Sequence, residues 1–380
     1  MRRLTALELA AIASAAVPGL ELTGCALEPD DAADFNSALL VDAESRRWRV
    51  RSPRHAEAST RLETELAVLR AFTPGIRAEL PFLLPTVAGT VRQGALTTFV
   101  YSHLAGKSRT IDAIPAGGAR LAKELGATIA AIHDMPVDIV TGADLPSYTA
   151  NEFRQRKLTE LDQAATTGKI PAALLRRWEH ALEDVALWRF NASVVHGDLH
   201  EDNILLEDTR VTAVIGWTDL HVGDPADDLA WLVAIHDQAF VNDVVAAYRE
   251  ARTDATDPHL MRRAALSAEF ALAQWLVKGV AAGDRQMVAD AEAMLRTLEA
   301  DIATHGGRPI STEPVPAPVA GPDAGRTEQP DDDGKVTVTP IDAEPAGNAA
   351  DTAATAAPDA VTATAEETDT TTLKVIPLED

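Results

Sequence analysis

Residues 196–203 read HGDLHEDN and place a carboxylate, Asp198, five positions ahead of a carboxamide, Asn203. On one loop these two groups can converge. The carboxylate can take a proton from a hydroxyl, and the carboxamide oxygen can meet a hard cation such as Mg2+, which prefers oxygen ligands. Apolar runs bracket the loop. Val194 and Val195 lead in, and Ile204, Leu205 and Leu206 lead out. A polar turn at Glu207, Asp208 and Thr209 is followed by a second apolar run from Val211 to Ile215. This pattern predicts a strand, a loop and then a hairpin, with the loop held between rigid elements.

An Asp base followed by an Asn is how protein kinases arrange their catalytic loop. The stretch resembles more closely the aminoglycoside/macrolide phosphotransferase family, small-molecule kinases with a protein-kinase-like fold. Its HGDxxxxN segment is matched by His196, Gly197, Asp198 and Asn203. Its GDPxxDLA segment is matched by Gly223, Asp224, Pro225, Asp228, Leu229 and Ala230. The branch most similar is that of the macrolide 2'-phosphotransferases. The resemblance implies an α+β, bilobal fold with a small β-rich N-lobe over residues 1–104 and a larger helical C-lobe over 105–305. It also implies ATP or GTP as phosphoryl donor, Asp198 as base and Asn203 as a Mg2+ ligand.

One departure is chemical. The family carries a metal-binding Asp after the second strand, in a segment like IDW. This chain reads Ile215, Gly216, Trp217. Asp219, three residues on, is a weak candidate for the lost ligand.

The elements that must position nucleotide phosphates lie in the first lobe. Residues 34–42 and 46–53 read as two strands, DFNSALLVD and RRWRVRSP. Arg51 and Pro53 match the family's VRxP-type segment, which implies that Arg51 pairs phosphate oxygens through its fork. No glycine-rich loop is present, so main-chain amides near Asn36 and Ser37 are the expected cradle. Residues 56–72 form a helix with Leu62, Leu66 and Leu69 on one face. Glu65 on it resembles the helix glutamate that fixes the phosphate-binding cation, with Glu63 as its rival. Leu4, Leu7, Ala11 and Ala15 suggest a short surface helix at the start rather than a signal peptide. Strands at 87–91 and 95–101 lead to a hinge near Leu104 and Gly106, where a nucleobase would bond to backbone.

In the second lobe, Leu121, Leu125, Ile129 and Ile132 share one helix face, and His133 reads as a packing residue at its end. Helices at 148–163 and 172–185 carry Glu152, Glu160, Asp162, Glu179, Glu183 and Asp184. Such acidic walls suit a cationic, amine-bearing acceptor. Asp224 and Asp228 read as structural, ordering the loop and the start of the next helix.

Composition limits the alternatives. Net charge is -24, which argues against nucleic acid, since phosphate tracks need clustered Lys and Arg. A single cysteine, Cys25, excludes an intramolecular disulfide framework. No apolar run is long enough to suggest a membrane span, and a cytoplasmic protein is expected. Residues 306–380 hold 15 acidic and 4 basic residues, many Ala, Thr and Pro, and no aromatic residue. Such a composition predicts a disordered acidic tail, whose last ten residues are more apolar and offer a short peptide to a protein partner. Two functions fit these residues. One is a small-molecule phosphotransferase acting on an amino-sugar hydroxyl, with a macrolide first in order. The other, motivated by Gly216, is a catalytically inactive kinase-like binding or regulatory protein.

Overall fold

The computed structural model of the chain describes residues 3–312 and 374–376. The fold is α+β and bilobal, with a β-rich N-terminal part and a helical C-terminal part.

The N-lobe opens with α1 (Ala6–Ala16), started by a capping box between Thr5 and Glu8. It buries Leu9, Ala10, Ala13 and Ala16, while Leu7 is 74% exposed. The stripe expected from the sequence is therefore not the buried one. In an alanine-rich helix several stripes are equally apolar, and the close packing of Ala16 on the sheet selects the face. Next come β1 (Leu22–Leu27), β2 (Phe35–Asp42), β3 (Arg47–Pro53), α2 (Ala56–Ala71), α3 (Pro74–Glu79), β4 (Val87–Gln93) and β5 (Leu96–Ser102). These strands form an antiparallel sheet in the order β1-β2-β3-β5-β4. Asn36 and Ser37 lie inside β2, opposite Ser52 and Arg51. They are not at a turn, as a main-chain cradle there would require. The connection between β1 and β2 is residues 28–34.

The C-lobe contains α4 (Gly118–His133), α5 (Asp138–Thr141), α6 (Ala150–Ala165) and α7 (Ala172–Glu183). It continues through the short strands β6 (Ser193–Val195), β7 (Ile204–Glu207), β8 (Arg210–Val214) and β9 (His221–Gly223). The helices α8 (Gln238–Ala251), α9 (Leu260–Ala282) and α10 (Arg285–His305) complete it. Leu121, Leu125, Ile129 and Ile132 of α4 are all buried, as their spacing predicts. Two small antiparallel ladders frame the HGDLHEDN segment. β6 pairs with β9, Val194 opposite Val222, and β7 pairs with β8, Ile204 opposite Val214.

The folded chain runs past residue 305, where the tail was expected to begin. Ile310 is buried in the core of α7 and α9, Arg177 donates to the Arg308 carbonyl, and the Thr312 N–H donates to Asp184 at 2.7 Å. Composition hides this, because one isoleucine in a Gly- and Pro-containing stretch is enough to anchor it. Residues 313–373, most of the expected disordered tail, lie outside the described residues. Within the last ten residues, β10 (Lys374–Ile376) adds an antiparallel strand beside β4, Val375 opposite Val91.

Candidate active site

The loop between β6 and β7 is fixed from below by one buried carboxylate. Asp228 accepts the His196 N–H at 2.8 Å and the Gly197 N–H at 3.0 Å, one on each oxygen. The His133 Nε2 lies 3.1 Å from the same side chain, and the Tyr248 hydroxyl is 2.8 Å from His133 Nδ1. Burial alone would raise the Asp228 carboxyl, but hydrogen bonding from His133, then the charges of His133 and His196, hold it below its ordinary value. His133 is thus a packing residue, as expected. Asp228 does more than start a helix, because it carries the backbone of the loop. Asp224 is buried on the Arg263 guanidinium at 2.7 Å.

His196 fixes the other side. Its Nδ1 accepts the Asp198 N–H at 3.3 Å, which leaves Nε2–H to donate to the Ile215 carbonyl at 2.9 Å. Burial pushes this imidazole below its ordinary pKa, against the nearby Asp228 charge. Its ring packs 4.6 Å from that of Trp217, which Phe72 and Phe82 hold from the other lobe. Gly197 has φ +86°, and a Cβ there would lie 2.3 Å from the Asp219 carbonyl oxygen. Only glycine allows the loop to cross Asp219 so closely.

This framework leaves Asp198 exposed, its carboxylate free of the anchoring bonds. Asn203 Nδ2 donates to the Asp198 carbonyl at 2.7 Å, and the Ile215 N–H donates to the Asn203 carbonyl at 3.0 Å. The carboxamide nitrogen is committed, so Oδ1 is the oxygen left to face a ligand. Gly216 lies directly against it, in the left-handed region at φ +81°. Asp219 joins the group. Its carboxyl is pushed above its ordinary value, first by desolvation and then by the Asp198 charge, while the Arg61 charge from α2 opposes this. His200 was not singled out by its sequence. It caps the turn at 201–203, with Nε2 3.1 Å from Asn203 Nδ2 and 4.0 Å from Asp198 Oδ1. The second histidine of the HGDLHEDN motif was the available signal.

Arg51 and Glu65 do not pair as expected. Arg51 gives Nε and Nη2 to Asp30, at 2.8 and 3.1 Å, and stacks over the Phe35 ring. Glu65 is buried and accepts the Tyr101 hydroxyl at 3.0 Å. Asp30 takes Arg51 because the 28–34 loop folds back over β3. A magnesium ion would find one carboxamide oxygen at Asn203 and no side chain at 216. Among the described residues no cluster of three or more His, Cys, Asp or Glu could hold a metal. Protein side chains alone therefore do not complete an octahedral shell, and most of its positions would fall to nucleotide oxygens and water.

A family model described as the phosphotransferase enzyme family (APH) matches residues 28–266. The chain belongs to this phosphotransferase family. Among curated relatives, the uncharacterized protein YcbJ of Bacillus subtilis (strain 168) is 26% identical over 208 residues, 51% of this chain and 65% of that protein. Viomycin phosphotransferase of Streptomyces vinaceus is 32% identical over 155 residues, 39% of this chain and 51% of the relative. The chain thus spans about half to two thirds of the length of the curated relatives it matches. The solved apoenzyme of macrolide 2'-phosphotransferase MphH from Brachybacterium faecium shares the fold. Its TM-score is 0.65 at 24% identity, over 76% of this chain and 97% of that one. Phosphotransferase structures of the same fold include a GDP and kanamycin complex and a streptomycin–ATP complex. No helix among the described residues is long and apolar enough to cross a membrane.

Proposed function

We propose that the chain transfers the γ-phosphoryl group of ATP or GTP to a hydroxyl of an amino-sugar antibiotic, with a macrolide as the first candidate acceptor. One observation carries this reading. The Asp198 carboxylate and the Asn203 Oδ1 are presented together on a loop that Asp228 and His196 hold rigid, in a chain of the phosphotransferase family. Asp198 would orient the acceptor hydroxyl and take its proton as the new O–P bond forms and the bond to the nucleotide's β-phosphate oxygen breaks. Catalysis of this kind is mostly positioning and charge placement, so a fixed loop matters more than an unusual base. Arg51 would meet the phosphates. Acidic residues of α6 and α7 would favour a cationic acceptor, although Glu152 caps its own helix and Glu160 pairs with Arg156.

The experiment is a transfer assay with ATP and with GTP against a panel of macrolides, aminoglycosides and simple alcohols, with products identified by mass spectrometry. Phosphorylated macrolide supports the reading. Phosphorylated aminoglycoside keeps the chemistry and replaces the acceptor. Gly216 favours a second reading, a kinase-like binding or regulatory protein without transfer. Acceptor or nucleotide binding with no product under any condition would select it.

A further inference from the structure

Deepening the reading of Arg51 as the phosphate-binding cation, on which it rests, we propose that Asp30 is a resident competitor for the nucleotide's phosphates. Asp30 thereby sets nucleotide affinity. A guanidinium binds a phosphate most strongly through two parallel N–H bonds along one edge. In Arg51 the Nε and Nη2 edge is already filled by the two oxygens of Asp30, at 2.8 and 3.1 Å. One face of the same guanidinium lies 4.1 Å from the Phe35 ring centroid. The Ser37 hydroxyl and Arg49 Nη2 also point at Asp30, so the carboxylate is held by three side chains.

The rest of the loop behaves alike. Arg49 Nε lies 3.0 Å from Glu28, and Asp34 takes both His55 at 2.9 Å and Arg61 at 3.3 Å. The segment over the expected phosphate site therefore brings its own anions. Asp30 is held below its ordinary carboxyl pKa, against the effect of burial, by the Arg51 charge and hydrogen bonds. It is an anion wherever a nucleotide would be tested. A polyphosphate must displace it, and apparent affinity falls by the fraction of molecules in which Arg51 is free.

The test is calorimetric titration of ATP and of GTP into the full chain, using the native protein, Asp30→Asn, Arg51→Ala and the double variant. Asp30→Asn keeps the shape and removes the charge. It is expected to tighten binding by about 10-fold or more, and the gain is expected to vanish in the double variant. Glu28→Gln, which touches Arg49, should change affinity much less. If Asp30→Asn binds as the native chain does, or more weakly, Asp30 is a prop that orients Arg51, and the proposal is wrong. If Arg51→Ala binds nucleotide as well as the native chain, the Arg51 reading falls and the proposal with it. Absence of binding in every variant overturns both, with circular dichroism melts showing that each protein is folded.

Discussion

Asn203 Oδ1 stands 2.7 Å from the point where a Cβ on Gly216 would lie. The amide covers the position from which any side chain at 216 would project. A carboxylate placed there would therefore also move Asn203, whose side-chain end must turn aside. The backbone adds its own strain, because φ +81° is a conformation that side chains other than glycine rarely adopt, although Asp tolerates it better than most. Gly216→Asp is expected to raise Mg2+-dependent turnover on the order of 10²-fold, the usual worth of a charge placed directly at a transferring group. Turnover would be measured across a Mg2+ titration in both proteins. High native turnover with no gain would mean that Asp219 already serves.

Asp198→Asn should abolish transfer while leaving the melting temperature nearly unchanged. The side chain is exposed, and the loop is anchored through the backbone rather than through this carboxylate. Retained turnover in a folded variant would rule out Asp198 as the base.

Asp228→Ala should cost about 3 kcal/mol or more, because it strands the buried His196 N–H, the part-buried Gly197 N–H and the buried His133 ring. The measurement is the urea midpoint at constant slope. A loss under 1 kcal/mol would show that water or a neighbour replaces the carboxylate.

Acid should weaken the fold in two stages. His196 has a folded-state pKa below its unfolded value of 6.5, so its contribution is complete above that value and is lost as pH falls through the lower one. Asp228 has a folded-state pKa below 3.8, so its contribution is also present above the unfolded value and disappears only in stronger acid. Urea midpoints at about pH 7.5 and pH 5 should therefore fall with pH. The fall should be smaller in His196→Gln, and equal falls in the two proteins would remove His196 from the account.

Much of the site is legible in the sequence, and its gaps have physical causes. The HGDLHEDN loop stands out because chemistry-bearing residues interrupt two apolar runs. The α4 stripe stands out because four buried aliphatic residues repeat at helical spacing. β1 escaped notice because it is an edge strand with mostly exposed side chains, so no alternation marks it. β9 is three residues long, too short for any period. Asp30 sits among other acidic residues, and nothing local singles it out until the fold brings Arg51 to it. Glu65 takes the hydroxyl of Tyr101 from β5, a contact between distant segments that no local pattern reveals.

The end of the folded chain can be located by two truncations. Ending the protein at His305 removes Ile310 from the core and the bonds from Arg177 to the Arg308 carbonyl and from Thr312 to Asp184, and should cost about 2 kcal/mol. Ending it at Thr312 keeps these contacts and should cost less. Equal melting curves for the two shortened proteins would show that residues 306–312 contribute nothing.

The bond from Tyr101 to Glu65 has a consequence for control. Many kinases are switched by swinging the helix that carries this glutamate toward or away from the phosphate-binding cation. Here the glutamate is tied at 3.0 Å to the last strand before the hinge, inside the core. α2 is thus tied to the sheet through its own glutamate. Any rearrangement that carried Glu65 toward Arg51 would first have to break this buried hydrogen bond.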